Sequence, residues 1–205
     1  MGQHALAGRL FEQHAILATT LADRRDGEFR WGYNLVKTGD FARALGLYKT
    51  LLDQQDLTPL DRAECLLRQG ISHAGLNRLG LAERSLEASI EQVELGTEGL
   101  TQGNDTLAEV HFVRGEIYQR LSHDVPLKLP IEKMKGDLAD KTRFFRRSQK
   151  SYLKALNVQH PYWATAAGLK LGELYEAFYR DVLNAQVPDD FDEKTTLFYV
   201  AELRK

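Results

Sequence analysis

Side chains that could act as nucleophiles are few in this sequence, and their spacing favours structural roles. Ser151 and Lys154 form an S-x-x-K pair, an arrangement in which lysine can activate a serine hydroxyl. The companion motifs S-D-N and K-T-G do not occur in the chain, and so short a match arises readily by chance. We therefore expect no serine nucleophile at this position.

Metal ligands and phosphate-binding loops are equally hard to assemble from the sequence. The six histidines include no H-x-x-x-H or H-E-x-x-H pair, the spacings that place zinc ligands on one helical face. Cys65 is the only cysteine, so we interpret it as a structural thiol rather than part of a disulfide or zinc site. Gly70, Gly75 and Gly80 recur regularly but lack the spacing and the lysine of a phosphate loop. The sequence predicts no enzyme, no metal and no cofactor.

Composition describes an ordinary folded protein. The 205 residues are 43% hydrophobic and 27% charged, with a formal net charge of -2. No global positive field attracts nucleic acid, and no apolar stretch approaches the roughly 20 residues that span a membrane. No secretion signal is visible at the N-terminus. Because a mature or excised fragment would also lack one, cytoplasmic and periplasmic or cell-envelope locations both remain open.

The elements that carry these side chains are predicted to be helices. Five prolines separate segments rich in alanine, leucine, glutamate, arginine and lysine, and no segment alternates like a strand. Thr58 before Pro59, Thr106 with Glu109, His160 before Pro161, and Asp192 are predicted helix starts. Helix ends are predicted at Gly39, in the loop 95–105 and at 187–190, and the helix that precedes this last end is predicted to run to about Asn184. The sequence predicts about eight helices and no sheet.

A degenerate repeat runs through these helices. Its first copy combines small residues at Gly32 and Ala44 with Phe41 and Tyr48, around a turn at Gly39-Asp40. Later copies contain Gly70 with a turn at 77–79, Ala82 and Leu86, then Gly115, Tyr118, Ser148, Tyr152 and Ala155, and finally Gly172 and Tyr175. Small residues of this kind let paired helices approach closely, while aromatic side chains fill the space between them. We therefore expect all four glycines to lie at close helix contacts.

This pattern resembles the tetratricopeptide repeat (TPR), a helix–turn–helix unit of 34 residues. The glycines are 38, 45 and 57 residues apart, and each excess over 34 falls where breakers already predict a loop. The resemblance implies an all-α, right-handed solenoid of about four helix pairs with extra terminal helices. We expect a single domain over 1–205, with an N-terminal helix at 3–24 and an insertion near 122–140. The repeats are expected at 25–58, 63–96, 108–160 and 165–205.

The two ends of the chain leave two interpretations open. Leu6, Leu10, Phe11, His14, Leu17 and Leu21 share one face of the first predicted helix, and the last pattern stops without a termination signal. Both terminal helices could be caps of the array. Alternatively, the chain is a fragment of a longer multi-repeat protein, since 163–179 and 191–205 faintly resemble TPR proteins of bacterial cell envelopes.

Charge is distributed unevenly towards the C-terminus. Eight basic and three acidic residues lie between Glu132 and Lys154, and six acidic residues lie between Glu176 and Glu193. A basic run of this kind could bind nucleic acid. We favour a solvated helix face with the acidic segment beside it, because neighbouring units of a solenoid touch.

The resemblance also implies which residues meet a partner. In TPR arrays the first helix of each pair lines an inner groove. The corresponding positions here are Phe29, Tyr33, Lys37, Leu67, Ile71, Phe112, Glu116, Arg120, Leu169, Glu173 and Glu176. The first repeat has aromatic residues where carboxylate-clamp TPR proteins have lysine and asparagine, so that clamp is absent. An aromatic half followed by an acidic half predicts an amphipathic, partly basic protein segment as partner.

Function is therefore expected to be binding. We expect a scaffold or adaptor that holds a peptide or helix, with no nucleic acid and no direct membrane span. The alternative is a structural module that self-associates within a larger assembly. The insertion carries Val125, Leu127, Leu129, Ile131 and Met134 around two prolines, which favours an extended path. It is predicted to be a brace on its own array, a second docking element or a plug over the groove.

Overall fold

A computed structural model describes residues 2–187, 191–195, 197 and 201, and this part of the chain is all-helical. The helices are α1 (Gly2–Leu17), α2 (Leu21–Thr38), α3 (Phe41–Leu52), α4 (Pro59–Gly75), α5 (Leu79–Gly96), α6 (Asp105–Asp124), α7 (Ile131–Asn157) and α8 (Pro161–Leu183). None of them is both long and apolar enough to span a bilayer.

The helices belong to two compact units. The first unit, Met1–Thr101, contains α1 to α5, and the second, Gln102–Lys205, contains α6 to α8. Within the first unit the closest helix pairs are α4 with α5 and α1 with α2; within the second it is α6 with α7. Each unit has its own buried apolar clusters.

Most helix ends follow the local chemistry of the sequence. Thr58 and Asp61 form the expected capping box around Pro59, and Gly39 ends α2 in the left-handed region at φ 80°. Asp192 accepts a hydrogen bond from the Thr195 backbone N–H at 2.7 Å, as a helix cap should. The chain turns into α8 at His160 and Pro161 as expected, and α8 ends at Leu183, beside the predicted Asn184. The predicted end at 187–190 lies largely outside the described residues.

Two predicted boundaries are wrong. The cap of α6 is Asn104, whose Oδ1 accepts from the Leu107 N–H at 2.8 Å, rather than Thr106. With Asn104 as the cap, Thr106 lies inside the first turn of the helix. The N-terminal helix ends at Leu17 instead of residue 24, because Thr20 caps a new helix through the Asp23 N–H.

The first unit is held together by the small-to-large contacts of the repeat. A Cβ built on Gly32 would lie 2.6 Å from the Tyr48 ring, and one on Gly70 would lie 2.6 Å from Leu86 Cδ2. Tyr48 and Leu86 are fully buried, so neither can move aside without opening a cavity. The expectation of close helix approach at these two glycines is confirmed.

The second unit contains one contact of the same kind, between a glycine and a large side chain. Gly115 in α6 lies against the ring of Tyr152 in α7, which is also fully buried. Ser148 Oγ donates to the Gly115 carbonyl at 2.8 Å, and Tyr152 Oη donates to Gln119 Oε1 at 2.6 Å. These bonds fix the register of α7 against α6.

The fourth glycine does not follow the pattern. A Cβ on Gly172 would meet no atom of the described residues within 4 Å, so the close approach expected there is wrong for this part of the chain. Tyr175 is half exposed and packs on Phe145 of α7, with ring centroids 5.1 Å apart. The apolar contact of α8 is made by Ala167 and Leu174 instead, since both are buried with Tyr152.

The insertion mainly lengthens helices. α6 continues to Asp124 and α7 begins at Ile131, so the extended path is limited to residues 125–130. Leu127 and Met134 are buried in a cluster with Val182 and Ala185. The predicted brace within its own array matches this packing, because the insertion covers the C-terminal end of α8.

Candidate binding site

The predicted inner positions of the first unit border a cavity. It has a volume of about 580 Å³ and lies between α1, α2 and α4. Its lining comprises Gln3, His4, Ala7, Phe11, Asp26, Phe29, Arg30, Tyr33, Asn34 and Glu64. We call this the aromatic groove. It contains two of the residues that the resemblance implies, Phe29 and Tyr33.

Tyr33 is the most accessible aromatic anchor of the aromatic groove. Its side chain is 37% exposed, and its ring is flanked by Lys37 Nζ and Arg68 Cζ, each 5.1 Å from the ring centroid. Arg68 is itself held by Glu64, with Nε 2.7 Å from Oε1. Cation–π contacts of this kind contribute about 0.5–1 kcal/mol each at partly exposed sites. The ring is therefore held in place by its own neighbours.

Other predicted residues of the first unit have structural roles. Phe29 is half-buried and packs edge-on against Tyr48, with centroids 6.5 Å apart. Ile71 packs on the same apolar cluster. Leu67 has no exposed surface, so its predicted contact with a partner is wrong. The sequence pattern places Leu67 on the first helix of its predicted pair. It does not reveal that neighbouring residues cover this side chain completely.

Sequence reasoning missed the α1 side of the aromatic groove. Phe11 lies under the guanidinium of Arg30, whose Cζ is 5.6 Å from the ring centroid, and Arg30 is paired with Asp26 at 2.8 Å. His4 shares a hydrogen bond of 2.9 Å with Asn34 Oδ1. The i,i+4 spacing of Asp26 and Arg30 is readable from the sequence, whereas the proximity of α1 is not.

The second unit has a smaller cavity between α6 and α8. Its volume is about 360 Å³, and its lining includes Glu116, Arg120, Lys170, Leu174 and Asp181. Glu116 and Arg120 were predicted as partner contacts and border this cavity. Lys170 and Asp181 were not predicted.

The other residues of the second unit that were predicted to contact a partner do not line this cavity. Phe112 packs between Tyr152 and Trp163, with centroids 5.7 Å and 5.1 Å away, and so belongs to the core. Leu169 is exposed but does not line the cavity. Glu173 is exposed and pairs with Lys170 at 2.8 Å, and Glu176 is exposed and pairs with Arg180.

A buried cation lies beside the second cavity. Lys141 is 1% exposed, and its Nζ donates to the carbonyls of Ser122 at 2.7 Å and Val125 at 3.1 Å. The same Nζ is 2.6 Å from Asp181 Oδ2. The lysine thus satisfies carbonyls at the C-terminal end of α6 and ties that end to α8. Nothing in the basic run of the sequence distinguishes Lys141 from its exposed neighbours.

Cys65 and His111 are buried, and burial shifts the pKa of each so that the side chain is uncharged near neutral pH. Burial raises the pKa of the Cys65 thiol to about 12, with a smaller effect of Glu64, so the thiol is not a nucleophile near neutral pH. Burial lowers the pKa of His111 to about 4, helped by Lys154 and Arg114. Ser151 Oγ donates to the Arg147 carbonyl at 2.9 Å within its own helix.

The described residues define an all-helical protein with paired helices and a groove lined by aromatic residues. Comparisons with family models, curated proteins and solved structures give no match to this chain. Its function must therefore be inferred from the geometry of its own surfaces.

Proposed function

We propose that the chain is a non-catalytic binding module of the TPR type, which holds a segment of a partner protein in the aromatic groove. Three helix pairs joined by the same glycine-to-large-side-chain contact support the TPR interpretation. The main support for this function is the accessible ring of Tyr33. The ring is held between two cations and borders a cavity large enough for a bulky side chain.

The lining indicates what the partner segment presents. Aromatic rings of Phe11, Phe29 and Tyr33 favour an apolar anchor side chain, because desolvating aromatic and aliphatic surface contributes most of the energy of such contacts. Asp26 and Glu64 border the same cavity, but each already pairs with an arginine, Arg30 and Arg68 respectively. The lining therefore favours an amphipathic segment with an apolar anchor, and the basic character expected of the partner stays a prediction from the sequence.

The test uses peptides selected from a random library against the immobilised chain. Tyr33→Ala should weaken binding of the selected peptides at least about tenfold, since buried aromatic anchors commonly contribute about 2 kcal/mol or more. Tyr162→Ala, at an exposed tyrosine of the second unit, is the matched control and should leave affinity unchanged. Equal affinity of the parent and Tyr33→Ala would rule out the aromatic groove as the binding site.

A crosslinking pull-down from native extract extends this test to natural partners. Proteins captured by the parent and the Tyr162→Ala control, but lost with Tyr33→Ala, would be candidates for the physiological partner. Capture that is identical with all three proteins would place the interaction on another surface.

Self-assembly is the second candidate, and the exposed leucines of α1 favour it. Leu6, Leu10 and Leu17 are 54%, 56% and 78% exposed, and they recur at helical spacing. Such a face is suited to a second copy of itself, because a twofold contact between identical helices needs only one apolar stripe. Light scattering over a range of concentrations tests this. A mass that rises for the parent and not for Leu10→Glu supports self-assembly, and a constant monomer mass excludes it.

A further inference from the structure

α7 of the second unit carries a basic groove separate from the aromatic groove. This groove has a volume of about 580 Å³ and is lined by Lys135, Leu138, Ala139, Thr142, Arg143, Arg146, Arg147 and Lys150. These positions recur every three or four residues, so they share one face of α7 over roughly 22 Å of helix length. Five of the eight are cations, and no described residue of the lining is acidic.

The positive charge of this face is only partly compensated. Arg143 pairs with Asp140 at 3.0 Å, and Arg147 stacks on Tyr118 at 5.4 Å. Lys135, Arg146 and Lys150 are exposed and form no ion pair with the residues that the structure describes. Three cations therefore face solvent with their attraction for anions available.

Other nearby acidic residues form ion pairs with cations outside the basic groove. Asp181 pairs with the buried Lys141, and Glu176 pairs with Arg180 of its own helix. Asp137 pairs with Lys133 on another side of α7. Within the described residues, the expected neutralisation of the basic run by the acidic segment applies to Lys141 and not to the groove.

We propose that the basic groove binds an acidic, amphipathic polypeptide segment. Glutamates and aspartates at helical spacing would match the cations along α7, and an apolar side chain would cover Leu138 and Ala139 at one end. This site is distinct from the site of the proposed function, because it lies in the other unit and selects its partner by charge rather than by an apolar anchor.

The lining disfavours two other anionic partners. Single-stranded nucleic acid is usually bound by cations together with aromatic platforms for base stacking, and no described residue of the lining is aromatic. A membrane surface is bound by an apolar helix face rich in large side chains, whereas this lining has one leucine.

The experiment measures binding of a labelled peptide of about 18 residues with glutamates and leucines at helical spacing. A matched peptide with glutamine in place of glutamate isolates the charge. We expect the full chain to bind the glutamate peptide at least about tenfold more tightly than the glutamine peptide, and to lose that preference in high salt.

Two variants with the same change of net charge locate the site. The groove variant is Lys135→Gln with Arg146→Gln and Lys150→Gln, and it should bind the glutamate peptide about tenfold more weakly, because three exposed ion pairs are lost together. The control variant changes exposed cations outside the groove: Lys49→Gln, Arg84→Gln and Lys128→Gln. It should bind like the parent. Equal losses in both variants would mean a response to net charge and would overturn the proposal.

A charge-reversal variant guards against misfolding as the cause of a loss. Lys135→Glu, Arg146→Glu and Lys150→Glu should abolish binding of the glutamate peptide and create binding of a lysine counterpart. Oligothymidine and vesicles with about 30% phosphatidylserine are tested with the same variants. Tighter binding of either one than of the peptide, lost with the groove cations, would assign the site to that anion and overturn the peptide proposal.

Discussion

Three contacts between a glycine and a large side chain set the spacing of paired helices in this protein. Gly32 lies against Tyr48, Gly70 against Leu86 and Gly115 against Tyr152. In each case an added Cβ would come within 3.0 Å of side-chain atoms, too close for a real contact. The glycines are therefore required by packing rather than by backbone conformation.

Gly115→Leu should lower the free energy of unfolding by about 1–3 kcal/mol or more, because the new side chain overlaps the buried Tyr152 ring. Gly172→Leu is the matched control within the same unit. No described atom lies within 4 Å of the Cβ position of Gly172, so the better helix propensity of leucine should stabilise the chain by roughly 0.5–1 kcal/mol. Urea melts of both variants measure this, and similar stability changes would contradict the assigned contacts.

The buried His111 makes stability depend on pH. Its Nδ1 is buried without a hydrogen-bond partner among the described residues, and burial is the main cause of its lowered pKa of about 4. Above pH 6.5 the imidazole is neutral in both the folded and unfolded chain, and its contribution to stability is complete. As the pH falls below 6.5, the unfolded chain binds a proton that the folded chain does not, so stability is lost until about pH 4.

The expected loss from His111 between pH 8 and pH 5 is about 2 kcal/mol. Urea unfolding at the two pH values measures it in the parent and in His111→Gln. The variant should have a smaller pH dependence by this amount, since glutamine does not titrate. An identical pH dependence in both proteins would show that His111 titrates alike in the folded and unfolded chain.

At the scale of elements, the segment between α6 and α7 packs against the end of α8. Leu127 and Met134 bury their side chains with Val182 and Ala185 at the end of α8. Lys141 adds a polar link between α6 and the same end of α8. Through Lys141, the long α7 links the C-terminal end of α6 to α8.

Leu127→Ala should lower the free energy of unfolding by about 2–5 kcal/mol, through lost burial and the cavity left behind. Leu153→Ala, at an exposed position of α7, is the control and should change it by no more than about 0.5 kcal/mol. Peptide affinity of the aromatic groove should be retained in Leu127→Ala. A loss of that affinity at unchanged stability would instead identify the segment as a docking element.

At the scale of the whole molecule, the two units have separate apolar clusters. Tyr48, Leu51 and Cys65 belong to the cluster of the first unit, and Tyr152 and Leu174 belong to one in the second. Units of about 100 residues with their own core are large enough to fold independently.

Fragments 1–101 and 102–205 should therefore each show a helical circular dichroism spectrum and a cooperative thermal melt. The fragment 1–101 should also bind the peptides selected by the aromatic groove, and the fragment 102–205 should bind the glutamate peptide. A fragment with the spectrum of an unfolded chain would show that its core depends on the rest of the protein.

Local chemistry in the sequence determined most of the helices. The capping box at Thr58, the turn at Gly39 and the start of α8 at Pro161 depend on neighbouring residues only, so they can be read in order along the chain. The contacts of Gly32, Gly70 and Gly115 were also predictable, because a small residue on one helix and a large residue on the next recur along the sequence.

Only the tertiary structure decided which predicted residues are accessible. Phe29 and Leu67 occupy corresponding positions of the predicted repeats, yet Phe29 borders the aromatic groove and Leu67 is fully buried. Gly172 fits the predicted pattern but has no described atom within 4 Å of its Cβ position, and Lys141 resembles its exposed neighbours but is buried. Periodicity fixes the face of a helix on which a side chain lies. Burial and the formation of a groove depend on what other helices place against that face, and those contacts join residues far apart in the sequence.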